Sequence, residues 1–441
     1  MFKRKVYEEL KEWKSKSNGK TAALLEGARR VGKSTIVREF VKNEYRSYVF
    51  IDFANTSKSL VSLFDDLSNL DLFFLRLQAE MNVSLYVRNS AIVFDEVQLC
   101  PKARQAIKYL VEDGRYDYIE TGSLISIKKN VDKILIPSEE TWIEVYPMDY
   151  EEFSDAVGFS YQALKALYSS GKGIGEATNR VLIRNFRTYV AVGGMPQAVA
   201  AFAEHKNFDE IDHIKKGIIN LYEEDLKKID KSGRLSKMYE TIPAQLVAKK
   251  NRFSFGYGLG KKTKKDDERL FDLLDSKIVN CCYRVNDISP SLSLYTDFTN
   301  FKLYVGDTGL FTSMLFNSED RAHEDIYKKL LSDKLDLNLG YLYENVVAQM
   351  IVASKRGLYY FTFPKEASGN YEIDFLLSNK NKVIPLEVKS GQVKFHDSID
   401  RFGEKYSKFV KDRFLVSAKD RSKEKNLANI PFYLLPFLLG E

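Results

Sequence analysis

Residues 24–40 read LLEGARRVGKSTIVREF, and the spacing of Gly27, Gly32, Lys33 and Ser34 matches G-x-x-x-x-G-K-[ST]. Upstream, Ala22–Leu25 is a short apolar run of the kind that forms a buried parallel strand. Downstream, Ile36, Val37, Phe40 and Val41 recur at helical spacing. Strand, glycine loop and helix in that order aim successive backbone N–H groups and a helix N-terminus at a phosphate. Gly27, Ala28, Arg29, Arg30, Val31, Gly32, Lys33, Ser34 and Thr35 are therefore expected to cradle ATP. Lys33 would neutralise the β- and γ-phosphates during catalysis, and Ser34 would ligate Mg²⁺.

A phosphate loop needs an acidic strand end nearby to organise the metal and the attacking water. Residues 91–98, AIVFDEVQ, supply one: an apolar run ending in Asp95 and Glu96, suited to a central strand whose carboxylates emerge at its C-terminal edge. Asp95 is expected to hold Mg²⁺ through water and Glu96 to polarise the hydrolytic water. A further strand, Tyr116–Glu120, leads into Thr121 and Ser123. Either hydroxyl senses the γ-phosphate, or the segment is a plain polar strand end.

The rest of the composition frames this reading. A chain of 441 residues is too long for one core. Its 44% hydrophobic and 29% charged content is that of an ordered globular protein and excludes disorder as the main state. The longest apolar runs, such as Tyr433–Leu439, fall short of the roughly 18 residues of a membrane span, so no membrane partner is expected. The charged start MFKRKVYEELKEWKSK lacks a signal-peptide core, which points to the cytoplasm. Cys100, Cys281 and Cys282 form neither a disulfide framework nor a metal knuckle and are expected as free buried thiols. A net charge of +6 permits nucleic-acid contact without requiring it. Oligomeric state is left open.

Between about 160 and 230 three stretches, YQALKALYSS, NRVLIRNFRTYV and FDEIDHIKKGIINLYEEDLKKI, carry apolar residues every three or four positions and predict helices. Gly193, Gly194, Met195 and Pro196 predict a turn between two of them. Residues 235–288 give two helical stretches and then an alternating strand, SKIVNCCYRVND, an order that resembles a winged helix. The loop Ala248–Lys265, with Lys261, Lys262, Lys264 and Lys265, is basic and aromatic and invites DNA contact. Asp266, Asp267 and Glu268 follow it at a helix start, where they favour the helix and repel phosphates. Docking to a protein or to another part of the chain therefore stands beside DNA contact.

The segments GARRVGKST, IVFDEVQ, ETGSLI, YPMDYEEF, VGGMPQAV, YVGDTGL (304–310) and YLYENVVA (341–348) together resemble the AAA-type P-loop ATPases that end in a domain of unknown function. The resemblance spans nearly the whole chain and implies a Mg²⁺-dependent ATPase. Such proteins carry a Gly-Arg pair shortly before the PL-x-x-x-EF segment; here Ser138, Glu139 and Glu140 stand in that neighbourhood. Arg180, Arg184 and Arg187 are left as candidates for an arginine on the phosphates, or as members of a solvated helix face.

Toward the end come a helix bearing Glu344 and the strands Tyr359–Phe363, Tyr371–Ser378 and Lys382–Ser390. Alternation along a strand puts Glu387 and Lys389 on one face. Glu344, Asp374, Glu387 and Lys389 resemble the set of the PD-(D/E)xK nuclease superfamily. That resemblance implies a catalytic group in which Asp374 and Glu387 hold Mg²⁺ and Lys389 orients the attacking water or stabilises the phosphate. Nuclease-like folds also serve as docking modules, so cleavage does not follow from fold alone. The expected fold is α/β: a P-loop ATPase domain with an AAA-like parallel sheet (1–160), a helical lid (161–230), a winged-helix-like domain (231–290) and a restriction-endonuclease-like α/β domain (291–441). Its expected partners are ATP and either DNA or a protein.

Overall fold

The computed structural model describes residues 2–122, 137–316, 323–332, 334, 339–366, 368–391 and 396–440. The chain divides into two compact units, Met1–Tyr146 with Asp275–Lys277, and Pro147–Leu274 with Ile278–Glu441.

The first unit is built on five parallel strands, β1 (Ala22–Glu26), β2 (Ser47–Asp52), β3 (Ser90–Asp95), β4 (Asp117–Thr121) and β5 (Glu140–Glu144), in the order β2-β3-β4-β1-β5. β1 and β3 are buried at every position, as a parallel sheet covered on both faces requires of its central strands. Phe53, Phe64, Phe73, Phe74 and Phe94 pack largely edge to face beside Ile107 and Leu110 of the helix Pro101–Asp113. The helix Lys33–Glu44 starts at Gly32, whose φ of 98° lies where side chains are disfavoured, and it buries Ile36, Val37, Phe40 and Val41 as the spacing predicts. β3 ends at Asp95, so Glu96 is not a strand residue: it turns off the sheet with φ 53°. β4 lies one residue later than the sequence suggests and includes Thr121.

The second unit contains the helices Tyr161–Ser170, Glu176–Val192 and Phe208–Ile229, close to the predicted spans. The last is capped by the Asn207 side chain, with Asp209 and Glu210 in its first turn and Lys227 and Lys228 in its last, each charge matched to the helix dipole. Two sheets follow. β6 (Val279–Val285), β7 (Thr296–Val305), β8 (Tyr359–Pro364) and β9 (Asn370–Ile373) run β7-β6-β8-β9. β10 (Phe375–Asn379), β11 (Lys382–Lys389), β12 (Arg413–Ser417), β13 (Ser422–Glu424) and β14 (Leu427–Pro431) run β10-β11-β12-β14-β13. The strand expected over 371–378 is thus two strands in two sheets, and the break falls at Asp374.

Four of the motifs behind the family resemblance meet in this unit. Asp307 takes the Gly194 amide at 2.6 Å on one oxygen and the Leu310 amide at 2.9 Å on the other. Met148 N donates to the Gly194 carbonyl at 2.7 Å. Asn345 exchanges hydrogen bonds with the Val305 backbone, and Gln349, one residue past YLYENVVA, accepts from Thr308. The glycines let backbones touch: a Cβ on Gly309 would lie 2.2 Å from the Val192 carbonyl oxygen, and one on Gly194 would lie 2.1 Å from that of Met148. What the sequence marks as a turn at Gly193–Pro196 is a close-packed joint.

Cys100 and Cys282 are buried free thiols; Cys281 is half-buried, against the expectation for it. Among the described residues no helix is long and apolar enough to cross a membrane.

Candidate nucleotide site and a carboxylate cavity

The glycine loop is shaped by steric necessity. Gly27 has φ 150°, and a Cβ there would lie 2.2 Å from the Val145 carbonyl oxygen of the segment leaving β5. Arg30 takes φ 69° and Gly32 φ 98°, which turn the loop so that the helix from Lys33 starts at its mouth. Lys33 is 9% exposed, and its ammonium donates to the Gly27 and Ala28 carbonyls at 2.9 and 3.0 Å. Burial pushes its pKa down to about 8, while Glu96 and Asp95 pull the other way. A cation held in so dry a place favours an added anion.

Asp95, 6% exposed at the end of β3, is the hub of the acidic side. Its Oδ1 accepts from Ser34 Oγ at 2.7 Å and also from the Thr121 hydroxyl. A hydroxyl beside a buried carboxylate is a hard oxygen pair of the type Mg²⁺ selects, so Ser34 and Asp95 fit that ion. Thr121 is bound to Asp95, and its Oγ1 also takes the Glu96 amide at 3.4 Å. Ser123 lies outside the described residues. Gln98, unnoticed in the sequence, donates to Glu96 Oε2 and fixes where that carboxylate points.

Further sequence candidates are placed elsewhere. Glu140 forms a buried ion pair with Arg104 at 3.0 Å, and beside it burial and then the Glu140 charge hold Glu120 far above the usual carboxylate range. Arg187 is 7% exposed within the second unit and donates to Tyr343 Oη at 3.1 Å, so it is a core residue rather than part of a solvated face. Arg180 is exposed and lies 3.6 Å from Glu176; Arg184 is exposed as well. Asp266 is not a surface carboxylate repelling phosphates. It is fully buried and paired with Arg234 at 2.7 Å and Arg269 at 3.0 Å.

In the second unit Glu344, Asp374, Glu387 and Lys389 line one cavity of about 470 Å³. The antiparallel register Phe375↔Leu386 sets Asp374 opposite Glu387, and Asp374 Oδ2 accepts the Val388 amide at 2.8 Å. Lys389 Nζ sits 2.5 Å from Glu387 Oε1, as shared facing predicts, while Glu387 Oε2 is buried with no hydrogen-bond partner among the described residues. Glu344 Oε2 accepts from Tyr304 Oη at 3.3 Å.

Two lining residues escape the motif. Lys302, 6% exposed, reaches Glu372 at 2.5 Å. Burial opposes its charge, but the Glu372, Glu344 and Asp374 carboxylates outweigh it and hold its pKa up. Burial, then Glu344 and Glu387, raise Asp374 well above its usual range, and burial raises Glu344. Among the described residues no three His, Cys, Asp or Glu side chains converge as a metal-ligand set. Lys302 and Lys389 stand among these carboxylates as their counter-charges. Lys302 and Glu372 line the cavity yet stand outside the nuclease-like set of Glu344, Asp374, Glu387 and Lys389, so the motif does not mark them.

A five-stranded parallel sheet with a glycine loop after one strand, and a Ser–Asp pair joining that loop to the end of another, defines a P-loop nucleotide-binding domain. Residues 19–154, most of which lie in the first unit, match the family described as AAA domain, so this stretch is similar to AAA-type P-loop ATPases. Residues 183–321 and 339–435 match two domains of unknown function, DUF8612 and DUF4143. No curated protein matches the sequence. Solved structures with some likeness include a Walker-type ATPase of Pyrococcus abyssi, at 15% identity and TM-score 0.42, covering 72% of this chain and 96% of that one. A STAND protein with a tetratricopeptide repeat sensor from Pyrococcus horikoshii gives 11% and 0.26, covering 78% and 48%. Cdc6p from Pyrobaculum aerophilum gives 13% and 0.22, covering 75% and 94%. Likenesses this weak carry no argument.

Proposed function

We propose that the first unit binds and hydrolyses Mg²⁺-ATP and that the chain couples this to engagement of nucleic acid or a protein partner. The observation that carries the reading is the 2.7 Å bond from Ser34 to Asp95 beside the buried Lys33. The backbone of Gly27–Thr35 and the Lys33 ammonium hold the phosphates, and Ser34 and Asp95 hold Mg²⁺, which supplies charge neutralisation there. Glu96, aimed by Gln98, accepts the proton of the attacking water. Glu96→Gln is expected to keep ATP affinity and lose turnover by on the order of 10²–10⁴-fold. Phosphate release at the parent rate would refute the assignment of Glu96.

A nuclease reading of the second unit is favoured by one observation, the buried Glu387 Oε2, without a partner among the described residues, in the cavity that also holds Asp374. In this reading Asp374 and Glu387 take a divalent ion and Lys389 orients water on the phosphate; residues 231–290 form the winged-helix-like part. Asp374→Ala is then expected to remove Mg²⁺- or Mn²⁺-dependent cleavage of plasmid, linear and branched DNA while ATP turnover persists. A chain that binds DNA and cuts it with neither metal leaves the alternative: an ATP-dependent switch whose nuclease-like domain only docks a partner.

A further inference from the structure

A cavity of about 1200 Å³ opens in the second unit among the helices Phe208–Ile229 and Arg234–Glu240 and the segment around Thr263. Among the described residues seven cationic side chains line it against two carboxylates, Glu223 and Glu240. The two arginines among them are occupied with the fold. Arg234 donates to Asp266 at 2.7 and 2.8 Å and to the Lys261 carbonyl at 2.9 Å. Arg269 donates to Asp230 at 2.8 Å, to Asp266 at 3.0 Å and to Ser232 at 3.1 Å. Together they brace the wall on the buried Asp266.

The lysines are in a different state. Lys227 and Lys237 are 55% and 64% exposed, and their ion pairs among the described residues, to Glu223 at 4.0 Å and Glu240 at 3.8 Å, are long surface pairs of little worth. Lys264 and Lys265 are exposed on the facing segment. Lys262, by contrast, pairs with Asp267 at 2.7 Å, and neither it nor Lys261 lines the cavity. The basic loop legible in the sequence is thus split by the structure: its last two lysines face the cleft and the two before do not.

We propose that this cleft seats the phosphate backbone of a nucleic-acid duplex through Lys227, Lys237, Lys264 and Lys265. The proposal rests on the nucleic-acid reading given above and names the surface that carries it. Flexible ammonium groups on three separate segments suit repeated phosphates. Among the described residues no aromatic side chain lines the cavity, which disfavours base stacking by a single strand and also the buried anchors of a protein interface.

The test is anisotropy of a labelled mixed-sequence DNA duplex against the full chain over a KCl series. The double variants K227Q/K237Q and K264Q/K265Q should each flatten the slope of log K on log salt by about 1.8 and weaken binding on the order of 50-fold at 0.1 M salt. K261Q/K262Q removes as much charge from outside the cleft and should do much less. Equal losses in all three variants, or unchanged slopes in the first two, would overturn the cleft as the site while leaving nucleic-acid engagement intact. Tighter binding of a single strand than of the duplex would contradict it as well. Absence of salt-dependent binding by the parent chain would remove the cleft and the nucleic-acid reading together.

Discussion

Lys33→Ala should reduce ATP affinity on the order of a hundred-fold or more, the range expected when one partner of a buried charge contact is truncated. The reasoning starts from the loop itself. The ammonium is almost wholly buried and, among the described residues, bonded to the Gly27 and Ala28 carbonyls, with a pKa pushed down to about 8. Its burial costs the fold free energy that a bound polyphosphate returns. Removing it therefore strips the nucleotide of its main counter-charge without taking a stabilising contact from the core. Calorimetric titration should show lost ATP binding with little change in thermal midpoint. An unchanged affinity would mean that the loop is an ordinary turn.

The second large effect concerns stability. Gly309→Ala places a methyl group 2.2 Å from the Val192 carbonyl oxygen and 2.6 Å from Gly193 Cα, against backbone that cannot swing aside as a side chain would. Separating the two segments also strains the bonds from Asp307 to Gly194 and Leu310. A loss of about 3 kcal/mol is expected, at the upper end of overpacking costs. Gly217 is the control: it sits inside the helix Phe208–Ile229 with nothing within 4 Å of its would-be Cβ. Gly217→Ala should therefore stabilise by up to about 1 kcal/mol. Thermal unfolding of both variants checks this, and a Gly309→Ala midpoint at or above the parent's would contradict the close-packed joint.

The contrast between these two sites shows what the sequence can and cannot disclose. The phosphate loop was legible because all its parts lie within one short run: the apolar β1, the glycine spacing and the helical Ile36, Val37, Phe40 and Val41. Asp95 was legible for a similar reason, as the first carboxylate after an apolar strand. The joint was not, since Gly193 and Gly309 are distant in sequence and only the fold brings their backbones together. Lys302 was hidden in the same way: it reaches Glu372 from a part of β7 that lies ahead of the YVGDTGL segment and outside the nuclease-like set. The break at Asp374 also escaped, because Tyr371–Ser378 has unbroken strand character and only pairing in two different sheets divides it. Arg187 stood open between an arginine on the phosphates and a solvated helix face, and Tyr343 from a distant helix gives it a buried partner that the sequence does not show.

The central claim is that the loop after β1, with Asp95 and Glu96 at the end of β3, makes this chain an ATPase. Steady-state phosphate release by the unmodified protein at saturating ATP tests it most directly, run with Mg²⁺, with EDTA and with Lys33→Ala as the blank. Turnover that saturates with ATP, needs Mg²⁺ and vanishes in Lys33→Ala is the predicted result. No release above the blank, or release that persists in EDTA, would contradict the account.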